Sequence, residues 1–386
     1  MQRQTRPLPW RPPVAIFPCI RFVARGFHEV TMKPLLLALL LTGLLPAQSP
    51  DIDWTRARDL FRREQRGETL EPADRAYLDR AKAVRRGGGT GAEGSASQRK
   101  APARLLPLCD MGADVHYEGE DGGLYGGGRN EPPEPLQRAA EAALAQIQPL
   151  DTAGRPAAEG RVVLVSISMS NATQEFSVFK RLADADPRKS PKLTVVDCAQ
   201  GGQAMAEWAP PEGRPWQEAL ARLARAGVSP AQVQVAWVKL ANKGPSGSMS
   251  DHLAKLETDT TAVLRNARAR FPNLRVVYLG SRIWAGNATG NLNPEPYAYE
   301  TAFAARHLIL QQPAAKGAAD GSPVLLWGPY LWAEGEKGRQ LDEVRYLPTD
   351  FAADGVHPST SGREKVARQL LDFFTSHPLA KSWFCR

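Results

Sequence analysis

The residues best placed to do chemistry are Asp354 and His357, in Asp354-Gly-Val-His-Pro-Ser-Thr-Ser-Gly362. A carboxylate three residues before an imidazole can accept the proton on one ring nitrogen. That fixes the tautomer and leaves the other nitrogen free as a general base. Pro358 stiffens the chain behind His357, and Ser359 to Ser361 offer hydroxyls to cap the amphipathic helix that follows. The same run also reads as an ordinary surface loop before a helix, because short motifs recur by chance. A base held this way implies a nucleophile, and a strand that ends in a serine is where to look for one.

Three earlier segments end strands in polar or glycine residues. Arg161-Val-Val-Leu-Val-Ser-Ile-Ser-Met-Ser-Asn171 contains the apolar, β-branched run Val162 to Val165, as a buried parallel strand should. Leu193-Thr-Val-Val-Asp-Cys-Ala-Gln-Gly-Gly-Gln203 reads as a strand and then a glycine turn. Val233-Gln-Val-Ala-Trp-Val-Lys-Leu-Ala-Asn242 reads as a strand with an asparagine at its end. Each has a plain structural reading: a serine caps the next helix, paired glycines make a tight turn, an asparagine closes a loop.

In their order and spacing, the four blocks resemble the SGNH hydrolases, also called the GDSL esterase/lipase superfamily, over residues 160–374. The resemblance implies a Ser-His-Asp triad of Ser170, His357 and Asp354. Ser170 matches the nucleophile because Ser170-Asn171 opens a helix through Gln174, Phe176 and Phe179, and Ser168 is a competing nucleophile two residues earlier. It implies an oxyanion hole from the Ser170 backbone N–H, the Gly202 N–H, with Gly201 one residue off, and the Asn242 side-chain amide. The chain departs from the family's pattern. Where the family writes G-D-S, Ser168 and Met169 replace the glycine and aspartate. Where it writes G-x-N-D, Leu240 and Lys243 replace them.

What the resemblance implies is a serine esterase working without metal or organic cofactor. Its partner is a small-molecule or glycan ester, with O-acetyl groups on a glycan favoured by export and by aromatic loops. Arg282 and Trp284 follow the fourth strand, and Tyr330 and Trp332 follow the fifth, so all four are candidates for a substrate rim. Each also reads as a packed loop anchor. His252 reads as a surface histidine, and His116 and His307 receive no role. The replaced motif residues keep open a catalytically inactive member that binds glycan or the cell envelope. A structural envelope protein, carried by the N-terminal segments, is a further alternative.

The elements that must position these groups alternate from Arg161 onward. Strands are expected at 162–165, 193–196, 233–238, 274–279 and 324–326, and helices at 172–183, 216–226, 249–270, 297–311 and 362–375. This pattern predicts a three-layer α/β/α, flavodoxin-like sheet of about five parallel strands. Upstream, 51–86 reads as a helical hairpin with Trp54, Leu60 and Phe61 on one helix and Tyr77, Leu78 and Ala81 on the other. Residues 87–104 read as a flexible linker, rich in Gly, Ser and Ala at its start. The α/β domain is expected over 105–386, with a helix at 137–147 and a glycine-dense loop, 119–133, lying over it.

Composition supports a folded, exported chain. Of 386 residues, 42% are hydrophobic, enough for a sizeable core. The net charge is +8, but residues 1–47 hold six Lys/Arg and one Glu, so most of the excess lies there. No basic stripe with interleaved aromatics remains, which argues against a nucleic-acid partner. Met32 to Ala47 reads as a secretory signal peptide, too short to be a stable membrane span. Residues 1–31 then read as an upstream extension, and the chain as secreted or periplasmic. Cys109, Cys198 and Cys385 follow the leader with no C-x-x-C spacing, which argues against a zinc site. Export permits one disulfide among them.

Overall fold

Two units share the chain, Met1–Gly91 and Ala92–Arg386. The computed structural model describes residues 70–87, 99–102, 104–312 and 322–385, together with 52, 53, 56, 57, 60 and 63. The leader with its signal-like run, Trp54 and Phe61 of the first hairpin helix, and most of the linker lie outside the described residues. In the first unit, helix α1 (Pro72–Gly87) places Leu78 against Leu60 and Leu70 in a small apolar cluster. The Tyr77 hydroxyl accepts a hydrogen bond from the Asp53 N–H at 2.8 Å.

In the second unit, Val162–Ser168 forms β1, and all seven of its residues are buried. Burial on both faces is what the centre of a helix-covered parallel sheet demands of a strand, and the β-branched run suits it. β1 pairs with β2 (Leu193–Val196) on one side and β3 (Val233–Lys239) on the other. Beyond β3 lie β4 (Val276–Leu279) and β5 (Val324–Trp327). Among the described residues the five strands are all parallel in the order β2-β1-β3-β4-β5. This is the flavodoxin-like order, whose direction reverses between β1 and β3. A crevice opens there, outside the carboxyl ends of the strands.

Helices α2 (Glu134–Leu144), α3 (Ser170–Ala185), α4 (Arg214–Arg225), α5 (Met249–Arg270), α6 (Tyr297–Gln311) and α7 (Thr360–Ser376) cover the sheet. On one face Phe176 of α3 stacks on Trp237 of β3, with ring centres 5.5 Å apart, and Phe179 meets Phe374 of α7. Val238 points the other way, towards Leu256 of α5 and Ala304 of α6. The glycine-dense loop is ordered against α6 and β5: the Arg306 guanidinium donates to the Asp121 and Gly123 carbonyls, and the Trp327 indole N–H to that of Leu124. Arg99, inside the expected linker, is anchored too. Its guanidinium pairs with buried Glu300 at 2.6 Å, and its Nε donates to the Gly247 carbonyl.

Candidate active site

The two serines that compete for the nucleophile role sit in different environments. Ser168 is the last residue of β1, fully buried, and its hydroxyl donates to the Lys239 carbonyl of the neighbouring strand. Met169 is extended, and Ser170 is the first residue of α3. The turn from strand to helix therefore releases Ser170 from the sheet, and its Oγ lies 2.7 Å from His357 Nε2. Asp197, just after β2, holds that turn in place. Its two carboxylate oxygens accept from Ser166 Oγ and from Thr173 Oγ1, each at 2.6 Å. Burial pushes the Asp197 carboxyl up, and these donors oppose it.

Asp354 and His357 lie on a loop that closes on itself. His357 Nδ1 is 2.5 Å from Asp354 Oδ2, and Asp354 Oδ1 accepts the N–H groups of Val356 and His357 at 3.0 and 2.9 Å. Partial burial raises the Asp354 carboxyl. The imidazole and the two backbone donors outweigh it and hold the group well below the usual carboxylate range. Gly355 makes this turn with φ +67°. A Cβ there would sit 1.8 Å from the Asn287 carbonyl oxygen, so only glycine fits between the carboxylate and the imidazole. Behind His357, Ser359 caps α7 through its hydroxyl, which accepts from the Gly362 N–H.

Ser170 and His357 face a cavity also lined by Asn171, Gly202, Asn242 and Arg282. Gly202 has φ +78°, in the left-handed region, whereas Gly201 is exposed and does not line the cavity. The side-chain nitrogens of Asn171 and Asn242 are buried with no hydrogen-bond partner among the described residues. Asn242 accepts from the Asn293 amide through its backbone carbonyl, which leaves its own amide free to donate. Lys243 turns outward to Glu207 at 2.6 Å and to the Gly202 carbonyl at 2.7 Å. It braces the glycine turn against the end of β3.

The expected aromatic rim is corrected. Trp332 is fully buried and its indole N–H donates to Glu295 at 2.7 Å, and buried Tyr330 accepts the Leu108 N–H through its hydroxyl. Trp284 packs on Phe351 with ring centres 5.9 Å apart. These side chains tie loops together, and none lines the cavity, because a large apolar ring gains more from burial than a rim position allows. Of the four candidates only Arg282 lines it. His252 is also corrected: it is buried, with Nδ1 2.8 Å from Glu300. Cys109, Cys198 and Cys385 are free thiols, and burial pushes the first two up to about 12.

Reading by motif missed the ion pair beneath the site. Lys239 ends β3, Glu175 lies on α3, and both are fully buried. The available signal was a lysine directly after the apolar run Val235 to Val238, but its partner is 64 residues away.

No protein-family model and no curated protein matches the sequence. Solved structures similar to it include a GDSL-like lipase from Bacteroides thetaiotaomicron, at 13% identity and TM-score 0.30, covering 61% of this chain and 95% of that one. An acetyl-xylooligosaccharide esterase from Geobacillus is similar at 13% identity and TM-score 0.32, over 57% of this chain and 96% of that one. An extracellular lipase from Streptomyces rimosus is similar at 14% identity and TM-score 0.29, over 55% and 98%. Likenesses this remote assign neither substrate nor mechanism to this chain.

Proposed function

We propose that the chain is a divergent SGNH-type serine esterase, exported through the signal-like run that ends at Ala47. The observation that carries the reading is the continuous contact Ser170 Oγ, His357 Nε2, His357 Nδ1, Asp354 Oδ2 at the carboxyl edge of the sheet. Ser170 attacks the ester carbonyl while His357 takes its proton at Nε2. Asp354 holds the Nδ1 proton and stabilises the imidazolium that forms. The Ser170 N–H, the Gly202 N–H and the Asn242 amide receive the oxyanion, and the otherwise unpartnered side-chain donor of Asn242 supports its place in that set. His357 returns the proton to the departing alcohol, and water activated by the same imidazole releases the acyl group. Among the described residues no helix is long and apolar enough to cross a membrane.

A fluorophosphonate probe with mass-spectrometric mapping tests catalysis and the serine assignment together. Labelling at Ser170, with hydrolysis of p-nitrophenyl acetate lost in Ser170→Ala, is the expected result. A folded protein that neither labels nor hydrolyses any ester would leave the inactive, glycan-binding alternative.

A further inference from the structure

Arg282 follows β4 and is 2% exposed. Its backbone N–H donates to Thr301 Oγ1 at 3.0 Å, yet Nε and Nη2 of its guanidinium are buried with no partner among the described residues. A guanidinium stays charged at neutral pH, and leaving one buried and unpaired is costly. Three carboxylates attract it from nearby, Glu175, Glu295 and Asp354. Glu295 is committed to the N–H groups of Ala285, Tyr299 and the Trp332 indole, and Asp354 to His357, while Glu175 pairs with Lys239 through Oε2 and keeps Oε1 without a partner among the described residues; no hydrogen bond joins any of the three to the Arg282 guanidinium. Nε and Nη2 together form one edge of the guanidinium plane. That edge can take a carboxylate through two parallel N–H···O bonds.

The cavity itself points the same way. Its lining contains two cations, Lys243 and Arg282, and no acidic residue. Lys243 is neutralised by Glu207, so Arg282 is the cation whose donors remain for a ligand. We propose that Arg282 is a specificity-determining residue that receives a carboxylate of the substrate. The ester cleaved at Ser170 then carries an anionic group close to its scissile carbonyl. The inference rests on the serine-esterase reading for the position of that carbonyl. It goes beyond that reading in naming the charge of the substrate.

Two pairs of esters differing in charge test it, one on each side of the ester. p-Nitrophenyl monosuccinate against p-nitrophenyl butyrate places the carboxylate in the acyl group. 4-Acetoxybenzoate against 4-acetoxybenzamide places it in the alcohol. In one pair the anionic ester should be preferred by about tenfold or more in kcat/KM, mainly through KM, as expected for charge-assisted bonds in a dry site. Arg282→Gln should collapse that ratio towards unity, and Arg282→Lys, keeping the charge but not the planar edge, should retain part of it. Equal rates within both pairs, or a ratio that survives Arg282→Gln, would overturn the proposal. So would a fall in kcat shared by both members with the ratio intact, which is the mark of an oxyanion donor. Calorimetric titration of Ser170→Ala with both pairs gives a readout that needs no turnover. Charge-selective binding that Arg282→Gln abolishes supports the carboxylate site even if esterase activity is absent. Equal binding within both pairs refutes it even if the esterase is real.

Discussion

Lys239, the last residue of β3, and Glu175, in the second turn of α3, form an ion pair in which neither side chain reaches solvent. The pair joins the helix that starts with Ser170 to the strand that leads to Asn242. Burial pushes the Lys239 ammonium down, and Glu175 opposes that shift. A dry pair is strongly coupled: removing one partner strands the other's charge. Lys239→Met should therefore cost about 3–5 kcal/mol, whereas Lys239→Met combined with Glu175→Leu should recover most of it. Denaturant unfolding of the single and double variants checks this. A single variant as stable as the wild type would show that the pair contributes nothing.

Ser168 and Ser170 should separate cleanly. Ser170→Ala should eliminate fluorophosphonate labelling and ester hydrolysis. Ser168→Ala deletes a buried hydroxyl bonded to the Lys239 carbonyl, so it should cost about 1–3 kcal/mol of stability and keep the label at Ser170. Tryptic mapping of the labelled peptides, with thermal melts of both variants, distinguishes the outcomes. A label that migrates to Ser168 would reverse the assignment.

Asn242→Ala removes one of the proposed oxyanion donors and leaves Ser170 and His357 in place. Turnover should fall about 100- to 1000-fold, with a smaller change in KM. Steady-state kinetics on p-nitrophenyl acetate decides the point. Near-normal turnover would mean that the oxyanion rests on other groups, with Asn171 the first to examine.

Asp354 gives a pH prediction with a definite sign. Its folded-state pKa lies below the unfolded value of about 3.9. Such a group contributes stability that is present above the unfolded value and is lost as pH falls through the folded one. The stability difference between wild type and Asp354→Asn should therefore be largest near neutrality and shrink as pH drops below about 4. Urea unfolding at a series of pH values between neutrality and acid measures it. At neutral pH the same variant should lose about 10⁴-fold in kcat, because the imidazole tautomer is no longer enforced.

The order of strands and helices in the α/β domain was legible in the residues alone. Uniform burial turns a strand into a β-branched run, and one-sided burial gives a helix its periodic stripe; both are local properties of the chain. The helices Met249–Arg270 and Tyr297–Gln311 have the limits the pattern predicts. β1 runs on to Ser168 rather than stopping at Val165, because the sheet buries Ser166 and Ser168 and satisfies their hydroxyls with Asp197 and Lys239. Asp354 and His357 were legible as a pair because they stand three positions apart in one tight turn.

What only the tertiary structure decided is everything that depends on distant partners. Sequence pattern left Ser168 and Ser170 both open; the neighbouring strand occupies one hydroxyl and leaves the other facing His357. Tyr330 and Trp332 looked like rim residues because they follow a strand end, yet the loops fold back and bury them. Lys239 and Glu175 carry no local sign of each other. Nor does Arg282 show in sequence that its guanidinium edge is left without a partner among the described residues. Which groups reach that edge depends on where Glu295 and Asp354 place their own hydrogen bonds and on how Lys239 holds Glu175, all of which tertiary packing sets.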